Sequence, residues 1–196
     1  MIDNYLTTLR ASCQERKVPL ISPESQNILL KILTTYQPKN CLEIGSAIGY
    51  SGIFIAKTIA EWGGNLTSFE VAYPSYLEAQ YHARQCQITN VKRYPFDLTK
   101  IEDTSNILPK QCDFVFIDAQ KNQYWIYMEK IQENLSSENI IVLDDILKYH
   151  TKLTWLYEFL EKNQINYEIQ QSEEWDGMMI IHNVKPKKFN KKEKLT

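Results

Sequence analysis

No run of apolar residues in this 196-residue chain approaches the ~18 that a membrane-spanning helix needs, so no such span is expected. Cysteine is scarce. Cys13, Cys41, Cys86 and Cys112 stand far apart, with no C-x-x-C pair and no histidine at zinc-ligand spacing. A disulfide framework is not expected in a chain long enough to build its own core. The first residues, Met-Ile-Asp-Asn-Tyr, lack a basic stretch followed by an apolar one; the expectation is a cytoplasmic protein without a secretory leader. Internal repeats and low-complexity linkers are also missing, which leaves one domain, residues 1–184. Net charge is only −2, giving no global reason to expect nucleic acid or membrane as a partner. The exception is local: residues 185–196 carry six lysines against Glu193 and read as a basic, disordered tail.

What is present is alternation. Ile2, Tyr5, Leu6 and Leu9 fall on one helical face, and Ser22-Pro23-Glu24 has the form of an N-cap with proline at the first helical position. Apolar strand-like runs follow at 40–44, 66–70, 91–96, 113–118 and 139–143, separated by helical patterns at 51–61, 76–87 and 124–135. A helix over 152–163 precedes two last strands, 167–171 and 178–182, close enough to pair antiparallel. This order predicts an α/β fold: a doubly wound, mostly parallel seven-stranded sheet with helices on both faces and a C-terminal antiparallel hairpin.

In such sheets ligands bind beyond the carboxyl ends of the strands. The first strand runs into Glu43-Ile44-Gly45-Ser46-Ala47-Ile48-Gly49-Tyr50-Ser51-Gly52, a glycine-bearing turn that opens a helix and presents free N–H groups. The second strand ends at Glu70, about where a carboxylate grips both ribose hydroxyls. Together these describe an adenosine pocket. The spacing is G-x-x-x-G-x-x-G, neither the G-x-G-x-x-G of dinucleotide enzymes nor a P-loop. The acidic Glu43 beside the glycines suits a cationic sulfonium or amino group better than a pyrophosphate.

Asp118 closes a later strand and Asp144-Asp145 the next. Neighbouring strands lie ~5 Å apart, so three carboxylates are expected to converge, a costly arrangement unless a divalent cation such as Mg²⁺ joins them. Lys121 leaves the same turn as Asp118 and becomes a candidate general base if the cation lowers its pKa. Taken singly, each aspartate has helix capping as its ordinary use, and the lysine has solvent.

Leu42 to Ser51 resembles motif I of the class I S-adenosylmethionine-dependent O-methyltransferases of the catechol and caffeoyl-CoA type. Phe116-Ile117-Asp118-Ala119-Gln120-Lys121-Asn122-Gln123-Tyr124 is similar to their FIDADK-x-x-Y segment, and Ile141 to Leu147 to their I-V-x-D-N-V-L segment. Asp176-Gly177 matches their terminal DG, and Phe96-Asp97-Leu98 stands near their GDA. The likeness covers residues 18–184 and implies a Rossmann-like methyltransferase fold.

The resemblance also implies roles. Asp118, Asp144 and Asp145 would hold a divalent cation, with Asp118 and Lys121 as catalytic residues. S-adenosylmethionine would meet Leu20, Glu43, Gly45, Ser46, Gly49, Tyr50, Ser51, Glu70, Val71, Phe96, Asp97, Leu98 and Asp118. Departures from the family pattern are Asp145 in place of asparagine, Glu138-Asn139 in place of Gly-Gly, and Phe96 in place of glycine. The implied reaction is methyl transfer to a hydroxyl of a metal-chelated, catechol-like molecule. Bacterial relatives that methylate 5-hydroxyuridine in tRNA make tRNA the alternative acceptor, with the lysine-rich tail and Phe189 as its contact. A homodimer is expected by the same resemblance. Readings of other classes are a non-catalytic S-adenosylmethionine-binding protein, an NAD-dependent oxidoreductase, which the glycine spacing disfavours, and a metal-dependent nuclease, which leaves the adenosine pocket unexplained.

Overall fold

The computed structural model describes residues 1–185; Pro186 to Thr196, and with them nearly all of the expected basic tail, lie outside the described residues. Seven strands form one sheet: β1 (Asn40–Ile44), β2 (Asn65–Phe69), β3 (Val91–Tyr94), β4 (Cys112–Ile117), β5 (Leu135–Leu143), β6 (Tyr167–Glu173) and β7 (Asp176–His182). Their order across the sheet is β3-β2-β1-β4-β5-β7-β6. The first five run parallel, while β7 lies antiparallel to both β5 and β6. Six helices accompany it: α1 (Ile2–Arg16), α2 (Pro23–Tyr36), α3 (Tyr50–Ala60), α4 (Tyr73–Gln85), α5 (Tyr124–Ile131) and α6 (Thr154–Lys162). Among the described residues, no helix is long and apolar enough to cross a membrane.

The period of two along the central strands divides the interior in half. Leu42, Ile44, Val115, Ile117, Ile141 and Leu143 pack on one face with α5 and α6. Cys41, Phe114, Phe116, Ile140 and Val142 pack on the other with α1, α2 and α3. Glu43 shares the parity of Cys41, so a carboxylate is carried onto an apolar face and buried completely.

Local chemistry sets most boundaries. Ser22 caps α2, its Oγ accepting from Ser25 N–H at 2.9 Å, with Pro23 at the first turn. β3 ends at Tyr94, short of the expected 96, because Pro95 cannot donate to the ladder. α4 begins at Tyr73 rather than 76, again on a proline, Pro74. α5 stops at Ile131, followed by a 3₁₀ turn, and β5 starts at Leu135 through an irregular pairing with β4.

Asn139 explains how that irregular entry is held. Its side-chain amide donates to Ser136 O at 2.7 Å and Val184 O at 2.9 Å, and its oxygen accepts from Val184 N–H at 3.1 Å. The fully buried amide therefore stitches the start of β5 to the chain leaving β7. Asn139→Ala leaves the Val184 peptide groups unpaired in the interior and is expected to cost about 2–3 kcal/mol. Urea unfolding checks this: the midpoint drops with the slope unchanged, whereas an unaltered midpoint contradicts the assignment.

Candidate functional site

The strand order reverses between β1 and β4, and two cavities open there at the carboxyl ends of the strands. The larger, about 630 Å³, is lined by Leu20, Gly45, Ser46, Tyr50, Ser51, Glu70, Asp118, Asp144 and Asp145, among others. The smaller, about 250 Å³, is lined by Val71, Phe96, Asp97 and Leu98 and shares Gly45, Glu70 and Asp118 with the first. Most of the residues expected to meet a cofactor thus share two adjoining hollows.

Gly45 makes the junction. Its φ is +90°, and a Cβ there would stand 2.2 Å from the carbonyl oxygen of Asp118, so no other residue fits without moving β4. The N–H groups of Gly45 and Ser46 both donate to Phe69 O, fixing the turn to β2. Glu70 closes the loops from beneath, its carboxylate accepting from Ala47 N–H and Ala72 N–H, each at 2.7 Å. A carboxylate has about four lone-pair positions, so two remain for ligand hydroxyls. Behind Tyr50, Arg10 ties the wall together by donating to the Tyr50 hydroxyl, to Ile21 O and to Gln26.

Two expected contacts stand elsewhere, and a third has its carboxylate engaged. Glu43 lies behind the wall of the cavity: its two oxygens accept from Ser51 Oγ and Ser68 Oγ, each at 2.6 Å. Burial raises its pKa, opposed by those two hydroxyls and by Arg93. The burial follows from strand parity and makes Glu43 an anchor for Ser51. Gly49, at φ +88°, precedes the first turn of α3 and packs against Ala79, lining neither cavity. Asp97 does line the smaller one, yet its carboxylate is committed to Thr99 N–H at 3.0 Å and Thr99 Oγ1 at 2.6 Å.

The aspartates gather, but around a lysine. Lys121, 8% exposed, places its ammonium 3.1 Å from Asp118 Oδ1 and 3.4 Å from Asp145 Oδ2. Tyr124, below it, directs its hydroxyl to the carbonyls of Ile117 and Asp144, joining the tips of β4 and β5. Among the described residues, no group of three or more His, Cys, Asp or Glu side chains is arranged to hold a metal ion. The expected three-carboxylate cluster is therefore not assembled as such: the ammonium occupies the ground between two of its members and relieves their repulsion. The lowered lysine pKa was expected of a site that holds a cation; against the carboxylates alone the balance runs the other way. Burial pushes Lys121 down, but Tyr124, Asp118 and Asp145 together hold it well above its ordinary value.

The charge left over falls on Asp144, whose pKa is pushed up to about 7 by burial and by the neighbouring Asp118 and Asp145. A residue of the cavity lining that the sequence reading left as a hairpin signature is Asp176. Its carboxyl is held up by burial and by the neighbouring Asp145, and it accepts from Gly177 N–H and Lys148 N–H. Hard oxygen donors in surplus on one wall are the donor set that a divalent cation takes, and Asp144 is the member short of positive charge.

A group that binds its proton more tightly folded than unfolded stabilises the fold below its ordinary pKa and loses that contribution as pH rises. For Asp144 the loss runs from about pH 4 to 7. In chelating buffer, Asp144→Asn should therefore unfold at higher urea than the natural chain at pH 8, with the advantage shrinking toward pH 4. Equal midpoints at pH 8 contradict the repulsion described.

A family model described as O-methyltransferase matches residues 3–171. Tapetum-specific methyltransferase 1 of Arabidopsis thaliana is 26% identical over 139 residues, covering 70% of this chain and 58% of that protein. Caffeoyl-CoA O-methyltransferase of Stellaria longipes is 24% identical over 149 residues, covering 73% and 61%. The chain thus spans about three fifths of the length of these two relatives. The solved structure of an O-methyltransferase from Bacillus cereus in complex with SAH superimposes with a TM-score of 0.80 at 19% identity, over 92% of this chain and 91% of that one. At that identity the superposition establishes the fold, the seven-stranded Rossmann-like sheet expected from the sequence. By the extent of the family match, the chain belongs to the O-methyltransferase family.

Proposed function

We propose that the protein moves a methyl group from S-adenosylmethionine to a hydroxyl oxygen of a small planar molecule with two adjacent oxygens. The observation that carries this reading is the pair of cavities meeting at Gly45, Glu70 and Asp118, with the Lys121 ammonium against Asp118. Family membership and the names of the relatives support it.

In this reading the smaller cavity takes the adenine, beside Phe96, whose ring stacks on Tyr94 at 5.9 Å. Glu70 accepts from the ribose hydroxyls through its free lone pairs. Ser46, Tyr50 and Ser51 line the methionine end, where the serine hydroxyls and the first turn of α3 offer polar partners. Asp118, Asp144 and Asp145 would hold a divalent cation. Once bound, it supplies Lewis acidity that lowers the pKa of the acceptor hydroxyl.

The chain's own part is to orient and to handle one proton. The oxygen attacks the methyl carbon, the carbon–sulfur bond breaks, and S-adenosylhomocysteine leaves. Holding oxygen, carbon and sulfur in line supplies up to about 7–11 kcal/mol of the barrier reduction. Lys121 Nζ is protonated while Asp118 and Asp145 lie against it; to accept the acceptor's proton it must first release its own to solvent, which a cation held by those carboxylates would favour. Tyr124 keeps both strand tips in register meanwhile.

The test is incubation with labelled S-adenosylmethionine, Mg²⁺ and a panel of vicinal diols. Transfer to one of them is expected, and labelled product from none contradicts the proposal. Asp144→Ala or strong chelation should lower kcat/KM about 100-fold while cofactor affinity by calorimetry changes less than about threefold. Glu70→Gln should do the converse, weakening S-adenosylmethionine about tenfold with a smaller effect on kcat, because hydrogen bonds to a charged acceptor are the stronger kind.

A further inference from the structure

A guanidinium is buried where no hydrogen bond explains it. Among the described residues, Arg93 Nε and Nη2 are shut off from solvent without a partner. Taking a cation out of water is unfavourable unless a negative charge stands near, so the position calls for a reason.

The sheet supplies one. Glu43 of β1 stands in register with Ser68 of β2, and Ser68 with Arg93 of β3, so the three side chains form a row on one face. The small Ser68 between them leaves the long arginine arm room to cross toward Glu43. Helix α3 covers this row at Gly52, where a Cβ would stand 2.6 Å from Glu43 Oε2 and 3.4 Å from Arg93 Nη2. Carboxylate and guanidinium therefore approach the same spot, against the first turn of the helix. Each acts on the other: burial raises the Glu43 pKa and Arg93 opposes that rise, while burial lowers the Arg93 pKa and Glu43 opposes that fall. Tyr76 of α4 supports Glu43 in its effect on Arg93, and Asp118 works against Arg93 in its effect on Glu43.

Hydrogen bonds continue from this pair to the cavity. Ser51, which lines the larger cavity, donates its one hydroxyl proton to Glu43 Oε1 at 2.6 Å, and Ser68 donates its own to Oε2 at 2.6 Å. A hydroxyl whose proton is engaged can only accept. Ser51 Oγ thus offers a bound molecule lone pairs, with a buried negative charge behind them. That suits an ammonium and disfavours a carboxylate. Without Arg93, burial favours the protonated Glu43, which has a proton of its own to give, and the Ser51 hydroxyl is released.

We infer that Arg93 is a positioning residue for the cofactor: from the edge of the sheet it fixes the Glu43 carboxylate, which keeps the Ser51 proton turned away from the cavity and its lone pairs toward an ammonium group. The inference deepens the methyl-transfer reading above and rests on it for the ligand, S-adenosylmethionine, whose amino-acid arm carries that ammonium. Glu43, expected from the sequence to meet the cofactor, acts on it at one remove.

Calorimetry on the full chain tests this by comparing S-adenosylhomocysteine with adenosine, which lacks the amino-acid arm. Arg93→Met should weaken S-adenosylhomocysteine about tenfold and leave adenosine within about twofold. Arg93→Lys, which keeps the charge, should recover most of the loss. With Glu43→Gln already in place, Arg93→Met should cost less than about twofold more, because its effect passes through that carboxylate. Ser51→Ala, an exchange at the cavity wall, should reproduce the loss of about tenfold and keeps the test decisive if an Arg93 variant fails to fold. Natural affinity in a folded Arg93→Met or in Ser51→Ala overturns the inference, as does an equal loss for adenosine or an undiminished effect in the Glu43→Gln background. Failure of the natural chain to bind S-adenosylhomocysteine overturns the methyl-transfer reading and the inference together, whereas binding that ignores Arg93 overturns the inference alone.

Discussion

The ammonium of Lys121 between Asp118 and Asp145 is the contact on which the site depends. Parallel pairing of β4 with β5 sets their tips side by side, and the chain ends both in carboxylates. Like charges so placed would repel and push the strand ends apart or keep a proton. One buried lysine, fixed by the turn that leaves β4, helps hold Asp145 below its ordinary pKa and opposes the burial that raises Asp118. Tyr124 then binds the carbonyls at both tips, so the charge balance and the backbone register support each other. What this pairing leaves uncompensated, Asp144, faces the cavity and defines where further positive charge is wanted.

The fold was legible because its signals are local and repeated. Alternating burial along β1, β4 and β5 and the cap at Ser22 each follow from neighbouring residues, and the two last strands betray their antiparallel pairing by their closeness in sequence. Errors sit where one residue overrides a pattern: Pro95 cuts β3 short, Pro74 starts α4 early, and the irregular entry to β5 depends on Asn139 reaching Val184, 45 residues away.

The site was legible as a set of positions and less so as a set of charges. Spacing along the chain revealed that Gly45, Glu70, Asp118 and Asp144 share one end of the sheet. It could not reveal that Glu43 turns inward, since that depends on which face of β1 receives α3. Nor could it give the balance on Lys121 against carboxylates alone, where Asp145 arrives from the segment after β5 to join the nearby Tyr124 and Asp118. Asp176 read as part of a hairpin signature, and only the docking of that hairpin on the segment after β5 makes it a partner of Asp145.

The cavities join at Gly45, Glu70 and Asp118, which is where the proposed reading brings cofactor and acceptor together. The most direct measurement is diffraction at the manganese edge from crystals grown with S-adenosylhomocysteine and Mn²⁺. The account predicts the nucleoside against Glu70 and Phe96, with an anomalous peak bonded to Asp118, Asp144 and Asp145 and the Lys121 ammonium moved off two of them. S-adenosylhomocysteine bound elsewhere, or manganese absent while Lys121 keeps its place, would contradict it.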